Sequence, residues 1–363
     1  MAHPVRAYKA RAYTPRAYTD RFLVPNQVSV HVNPNPATGD AAPNFSGQSI
    51  QARCMGNAIY LIPWQNISSS AHGYMYNYDL TTKTFSSYTS IPDCSVTWWL
   101  DIVGTDMYVA SKSIPANLPA YFKSSDGGST WSTVTFAEPS TAIGVIRAMK
   151  FNPFNSMNGI VFGIEGSSLN NAWYARTTDG GTTWSSWTQL TTIRGVYDIS
   201  YIDANTIVIC GTNSSNVGIT RKSTDGGATW GSNVTLSGTA ICSSMSWLDS
   251  KVGYAAARTN SSVVGGAGRL YITTDGGSSW TLLSTLPTSM KSATNVFAFS
   301  RSLIVVNGYN TTTGVMNVSR DGGLTWTQIT TSVGFSTWYI IQKDHSLFTG
   351  SNGRTLVELR VSG

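Results

Sequence analysis

One eight-residue phrase occurs five times in this chain and constrains its fold more than any other feature. It is first met as Ser124-Ser125-Asp126-Gly127-Gly128-Ser129-Thr130-Trp131, then over Thr177–Trp184, Ser223–Trp230, Thr273–Trp280 and Ser319–Trp326. Each copy reads Ser/Thr, any residue, Asp-Gly-Gly, any residue, Ser/Thr, Trp, and the aspartates Asp126, Asp179, Asp225, Asp275 and Asp321 lie 46 to 53 residues apart. Self-similarity at that period marks stacked or radial repeats. Asp-Gly between runs of apolar and hydroxyl residues signals a hairpin, because glycine accepts positive φ without a Cβ penalty. The carboxylate can accept from backbone N–H groups of its own turn, and the flanking hydroxyls can join that network. The tryptophans Trp131, Trp184, Trp230, Trp280 and Trp326 are expected to start the next strand and fill the wedge beside the turn.

The phrase resembles the Asp-box, or bacterial neuraminidase repeat, of sialidase-like β-propellers. The resemblance implies a structural hairpin on the blade periphery, away from the central site. It is shared by sialidases, xyloglucanases, sortilin-type receptors and photosystem II assembly factors, so it speaks for fold and not for activity.

The units around the phrase can be laid out as blades of four strands. The first takes 49–54, 58–63, 74–79 and 85–90; Asp79 lies 47 residues before Asp126, as a degenerate copy without glycines in which Phe85 replaces the Trp. The innermost strands of the next five are expected to begin near Val96-Thr97-Trp98-Trp99, Val145-Ile146-Arg147-Ala148, Val196-Tyr197-Asp198-Ile199, Cys242-Ser243-Ser244-Met245 and Val296-Phe297-Ala298-Phe299. The last unit offers only 337–342, 346–350 and 356–361 after its outer-strand predecessor. An open sheet edge exposes a row of unpaired donors and acceptors. The alternating segment Val28, Val30, Val32, lying before the first unit, would complete it. The expectation is an all-β, single seven-bladed β-propeller over residues 22–363, closed by the strand at 22–33. With only 12% charged residues and abundant small polar ones, the composition suits such a fold.

Residues 1–21 read differently. Arg6-Ala7-Tyr8, Arg11-Ala12-Tyr13 and Arg16-Ala17-Tyr18 recur every five residues and end on Asp20-Arg21, giving this arm +4 of the formal +6. A period of five is neither a strand face nor a helix face. An extended basic arm, ordered by a partner, is expected, with Arg6, Tyr8, Arg11, Tyr13, Arg16, Tyr18 and Arg21 as its contact residues.

Chemistry is harder to find. A sialidase would need an arginine triad, a Tyr/Glu pair and an Asp acid, with an Arg-Ile-Pro phrase near its start. That phrase is absent, and the three glutamates are Glu138, Glu165 and Glu358. Arg147 and Arg194 stand at the starts of inner units and could face the channel, but without a third aligned arginine and a matching Glu they read as hydrogen-bonding or surface arginines. Asp101, Asp198 and Asp249 fall within or just after inner strands, leaving open a carboxylate pair of the glycosidase kind. Neither a phosphate-binding loop nor H-E-x-x-H occurs. Cys54, Cys94, Cys210 and Cys242 have no ligand spacing and read as buried free thiols; neither metal nor cofactor is expected. The body, +6 less +4, carries only +2 and no basic stripe, which speaks against nucleic acid.

No apolar run of 18 residues occurs, and the start Met1-Ala2-His3-Pro4 has no apolar core of a signal peptide, so neither membrane insertion nor secretion is expected. A low-charge body behind a basic arm is similar in layout to phage virion proteins. The reading is therefore a non-enzymatic head-decoration, head-fibre or tail component, made in the host cytoplasm. Its arm would dock on a capsid or tail protein while the propeller faces outward, with host glycans as a further partner. The alternatives are a sialidase-like or other glycan-acting propeller and an assembly-factor-type protein binder.

Overall fold

The second strand of each blade is where the chain is most apolar. Ile207–Asn213, Gly253–Arg258 and Ile304–Tyr309 are buried along almost their whole length, because each has sheet neighbours on both sides and another blade on both faces. The outer strands are short and largely exposed, such as Ser132–Thr135 and Thr188–Leu190. This gradient from a dry middle to a wet rim gives every unit one edge for a central channel and one for solvent. The computed structural model describes residues 23–32, 50–63, 73–86, 89–94, 97–113, 118–136, 143–165, 171–262, 266–311, 313–329, 341–343, 346–350 and 355–361. It is a seven-bladed β-propeller of antiparallel four-stranded blades.

The inner strands, in blade order, are Ile50–Met55, Trp99–Val103, Ile143–Asn152, Ile193–Tyr201, Ile241–Trp247, Ser292–Ala298 and Ile341–Lys343. Blade seven runs outward from Ile341–Lys343 through Ser346–Gly350 and Thr355–Val361 to Leu23–Val32, the strand from the front of the chain. Val28, Val30 and Val32 face Leu359, Val357 and Thr355, which is the expected closure. Blade one differs in detail from expectation: its outer edge is split into Thr84–Phe85 and Thr89–Ile91, both paired to Gly73–Asp79. The arm residues Arg6, Tyr8, Arg11, Tyr13, Arg16, Tyr18 and Arg21 lie outside the described residues, as does the start of the strand expected at 337.

The five Asp-Gly-Gly turns share one network. In blade two, Ser124 Oγ donates to Asp126 Oδ1 and accepts from Gly128 N–H, both at 2.8 Å. Asp126 Oδ1 accepts from the N–H groups of Ser129 and Thr130 at 2.9 Å, and Oδ2 accepts from the Thr130 hydroxyl at 2.6 Å. The Thr130 hydroxyl bond leads the set that holds the Asp126 carboxyl at about 2. Asp179, Asp225 and Asp321 are held at about 2 by the same bonds. At Asp275, burial pushes the other way, and the Ser279 bonds still leave it at about 2.

The second glycine of the turn has two tasks. Gly128 sits at φ +90°, and a Cβ there would lie 2.2 Å from Met75 Cε of the preceding blade. At Gly181 the neighbour is Tyr121, whose hydroxyl donates to Gly181 O at 2.5 Å. So each turn seats on the blade before it, and only glycine allows both the conformation and the approach. The tryptophans end the turn rather than start the outer strand, which begins one residue later at Ser132, Thr281 and Thr327 and further on in the other two blades. Freed from the ladder, Trp184 packs edge-on against Tyr121 and Phe136 of the preceding blade, and Trp230 against Phe162 and Tyr174. In the degenerate first copy, Asp79 accepts from Thr81 and Thr82 N–H, and Lys83 takes the left-handed position at φ 59°.

Cys94, Cys210 and Cys242 are buried free thiols and Cys54 is half-buried. No helix among the described residues is long and apolar enough to cross a membrane.

Candidate functional site

Four inner strands carry a register irregularity at matching heights. It falls between Ile146 and Ala148, Val196 and Asp198, Cys242 and Ser244, and Ala293 and Asn295. The residue skipped in each case is Arg147, Tyr197, Ser243 and Thr294. An extra residue in one strand bends it and re-aims a side chain. All four line one cavity of about 340 Å³ at the mouth of the central channel, with Arg53, Trp98, Asp198 and Arg258 among its other walls. A second shift, between Ile193 and Gly195, skips Arg194. Arg194 lines an adjoining cavity of about 240 Å³, and Arg147, Tyr197 and Arg258 border both.

The arginines carry the electrostatics. Arg258, at the end of the second strand of blade five, is 6% exposed, and its Nε is buried without a hydrogen-bond partner. Arg147 Nε is in the same state, and its guanidinium lies 4.2 Å from the Trp98 ring centroid. Burial lowers both guanidinium pKa values, and the nearby Tyr197 hydroxyl works against that shift. They stay charged, since an arginine titrates far above neutral pH. Among the described residues neither has a carboxylate partner. Arg194 donates to Asn216 Oδ1 at the cavity rim. A buried cation without a counter-charge is costly, so the electrostatics of this mouth suit an anion.

The acids at the channel are engaged otherwise. Asp101 Oδ2 accepts from Phe151 N–H of the next blade at 2.9 Å, and Oδ1 faces Lys150 Nζ at 3.4 Å. Asp198 accepts from Ile199 N–H and, across to the next blade, from Met245 N–H, both at 2.8 Å. Burial pushes its carboxyl up, and those two bonds offset part of the shift. Ser244 and Ser246 repeat the device one blade on, accepting from Val296 and Ala298 N–H at 3.0 Å. These side chains staple successive inner strands together. Asp249 instead caps a turn through Lys251 and Val252 N–H at 2.7 Å.

Of the two arginines read as hydrogen-bonding or surface residues, Arg194 does donate to Asn216, and the structure gathers both, with Arg258, around adjoining cavities. Arg258 was missed, and it has no local mark beyond closing an apolar run. Glu165, one of the three glutamates, accepts from Asn171 Nδ2 at 3.0 Å. The turn aspartates are tied into their own hairpins, in keeping with a structural role.

No protein-family model matches the chain, and no curated protein matches it in sequence. Among solved structures it is similar to YCF48 bound to D1 peptide, with TM-score 0.61 and 15% identity over 92% of this chain and 95% of that one. It is similar to a GH74 xyloglucanase from Xanthomonas campestris, with TM-score 0.63 and 12% identity over 92% of this chain and 54% of that one. A PL25 ulvan lyase bound to -[GlcA(1-4)Rha3S]- follows, with TM-score 0.57 and 10% identity over 92% of this chain and 94% of that one. At such identities the likeness shows the propeller fold, which binding proteins and polysaccharide-acting enzymes share, and carries no activity with it.

Proposed function

We propose that this chain is a binding protein whose propeller takes an anionic ligand at the channel mouth. The observation that carries the reading is Arg258, a nearly buried guanidinium with no carboxylate partner among the described residues, beside the half-buried Arg147, which also has none and lies over Trp98. The engagement of Asp101 and Asp198 in holding neighbouring strands supports binding over hydrolysis, because a general acid or nucleophile has to be free to meet substrate. The basic arm supports attachment to a larger assembly: a phage head or tail component, docked by residues 1–21 on a capsid or tail protein, suits the charge layout. That neighbours of this fold include one solved with a peptide and one with a polysaccharide is compatible with a ligand-bearing mouth.

The test is ligand-linked stability of the full chain, since a ligand that binds only the folded state raises its melting point. Citrate and sulfate, at fixed ionic strength, should raise the Tm of the wild type, and Arg258→Gln or Arg147→Gln should remove the rise. Equal shifts in wild type and both variants would refute the site. Turnover of an activated glycoside that disappears with Tyr197→Phe would put a glycosidase in its place.

A further inference from the structure

The mouth is not one basin but two, and their walls differ in chemistry. The smaller cavity is bordered by Arg147, Arg194 and Arg258 and by no aspartate or glutamate among its lining residues. The larger holds Arg53 but also the carboxylate of Asp198, with Trp98, Trp99 and Phe297 beside short amide and hydroxyl groups such as Gln51 and Ser243. Its nearby Lys150 is already matched to Asp101. Three arginines border each cavity, Arg147 and Arg258 being shared, and Asp198 offsets one of them in the larger, so an anion is favoured more in the smaller. At about 240 and 340 Å³, each lies at or below the small end of the range of about 300–1,000 Å³ for ligand pockets. That size suits one ring-sized unit apiece, with Tyr197 and the two shared arginines between them.

The channel edge also argues about the kind of chain. A peptide that binds by strand addition draws on free backbone donors of an edge strand. Here the N–H groups of Phe151, Met245, Val296 and Ala298 already donate to Asp101, Asp198, Ser244 and Ser246. What remains for a ligand is side-chain chemistry: aromatic rings, with Arg147 already over Trp98 and Arg53 over Trp99, together with amides, hydroxyls and guanidinium forks. Ser243 Oγ and Trp99 Nε1 are buried in the wall of the larger cavity without partners. Apolar ring faces between hydroxyl-binding groups are the surface of a sugar.

We infer that the two cavities are adjacent subsites for a linear oligosaccharide, an acidic unit bearing a carboxylate or sulfate in the smaller and an uncharged unit in the larger. Arg194, which borders only the smaller cavity, selects the charged unit. Arg258 and Arg147 hold the pair at the junction, where bidentate contacts to a carboxylate or sulfate are available. This inference rests on the anion-binding reading above and adds the ligand's class and order.

The experiment is titration calorimetry of the full chain against five defined probes. These are hyaluronan tetrasaccharide (alternating glucuronate and N-acetylglucosamine), a kappa-carrageenan tetrasaccharide (alternating sulfated galactose and uncharged anhydrogalactose), tetragalacturonate, cellotetraose and tetraglutamate. At least one alternating probe should bind at least tenfold tighter than the uniformly acidic, the neutral and the peptide probes, and preference between the first two separates carboxylate from sulfate. Arg194→Gln should weaken that probe at least tenfold. Gln51→Ala should weaken it several-fold while leaving glucuronate alone unchanged. Tetragalacturonate binding as tightly as the alternating probes would remove the neutral subsite. Tetraglutamate binding as tightly would overturn the sugar and leave the anion site standing. Binding of none of the five, with the citrate-induced rise in Tm intact, would again sink this inference alone, whereas loss of both would sink the site itself.

Discussion

Deleting residues 1–33 should abolish cooperative folding, whereas deleting residues 1–21 should not. The longer deletion removes Leu23–Val32, the outer strand of blade seven, and with it six paired positions to Thr355–Val361. With roughly one ladder bond per pair and a net about 0.5–1.5 kcal/mol per hydrogen bond, the loss is about 3–9 kcal/mol. A folded domain has about 5–15 kcal/mol in all. The damage also extends beyond the bonds, because Thr355–Val361 would become an open edge whose Leu356, Val357 and Leu359 belong to buried clusters shared with blades one and six. Tryptophan fluorescence and far-ultraviolet circular dichroism, followed through a thermal melt at two protein concentrations, distinguish the outcomes. The 22–363 chain should melt in one transition close to that of the full chain. The 34–363 chain should melt broadly, at least 10 °C lower, or associate through the exposed edge. Equal midpoints for both truncations would refute closure by this strand.

The remaining predictions concern the seams between blades. Trp230→Ala removes a half-buried ring that meets Phe162 at 5.8 Å and Tyr174 at 6.0 Å in the preceding blade. It should cost about 3 kcal/mol in urea unfolding, the low end for a tryptophan truncation, and an unchanged midpoint would show that the ring is not part of the seam. The turn carboxyls at Asp126, Asp179, Asp225, Asp275 and Asp321 sit at about 2, below the ordinary 3.8. Their contribution to stability is therefore complete above 3.8 and lost as pH falls through about 2, so the urea midpoint should drop over that window. Asp225→Asn should flatten the drop, and a parallel acid profile would count against the turn network. Lys83→Met removes the cation facing Glu358, a carboxylate 1% exposed in blade seven that Lys83 reaches at 3.2 Å from blade one and to which Ser346 Oγ still donates at 2.8 Å. The loss should be about 3 kcal/mol, restored in the Lys83→Met/Glu358→Gln pair; no loss would show that the clasp does not hold the first and last blades together.

The parts of this molecule that were legible in its sequence are those whose chemistry is local or countable. Asp126 binds Ser129 and Thr130, three and four residues on, and both glycines act within the same turn. Eight consecutive letters therefore contain nearly the whole device. The closing strand was legible by counting, because a last unit of three strands demands a fourth and Val28–Val32 was unspent. Where expectation slipped by a few residues, tertiary packing was the cause. The Val96–Trp99 strand begins at Trp99, and Trp98, whose N–H still donates to Ala110 O at 3.0 Å, lies with its ring under Arg147. Trp184 and Trp230 likewise leave the outer strand for the preceding blade's rings.

Beyond Arg147 and Arg194 as arginines able to face the channel, the mouth was illegible for a reason that separates fold from recognition in a repeat protein. Its positions are equivalent in geometry and unequal in residue: the same kink places Arg147, Tyr197, Ser243 and Thr294 on the channel in successive blades. Ring closure needs every blade to seat on the last in the same way, so the seating residues repeat and declare themselves. A ligand at the axis meets all blades at once and, having no sevenfold symmetry of its own, needs each to present something different. Residues that do so cannot repeat, and a bulge has no fixed sequence signature, since it arises from how one strand's register meets another's. Arg258 is the extreme case. It comes from a second strand, not an inner one, and at the end of Gly253–Arg258 it resembles any charged residue closing an apolar run. Only the ring brings it beside Arg147, which lies 111 residues earlier in the chain and two blades away. Non-repetition within a repeating frame is thus the sequence signal such a site leaves, and it becomes readable once the frame is known.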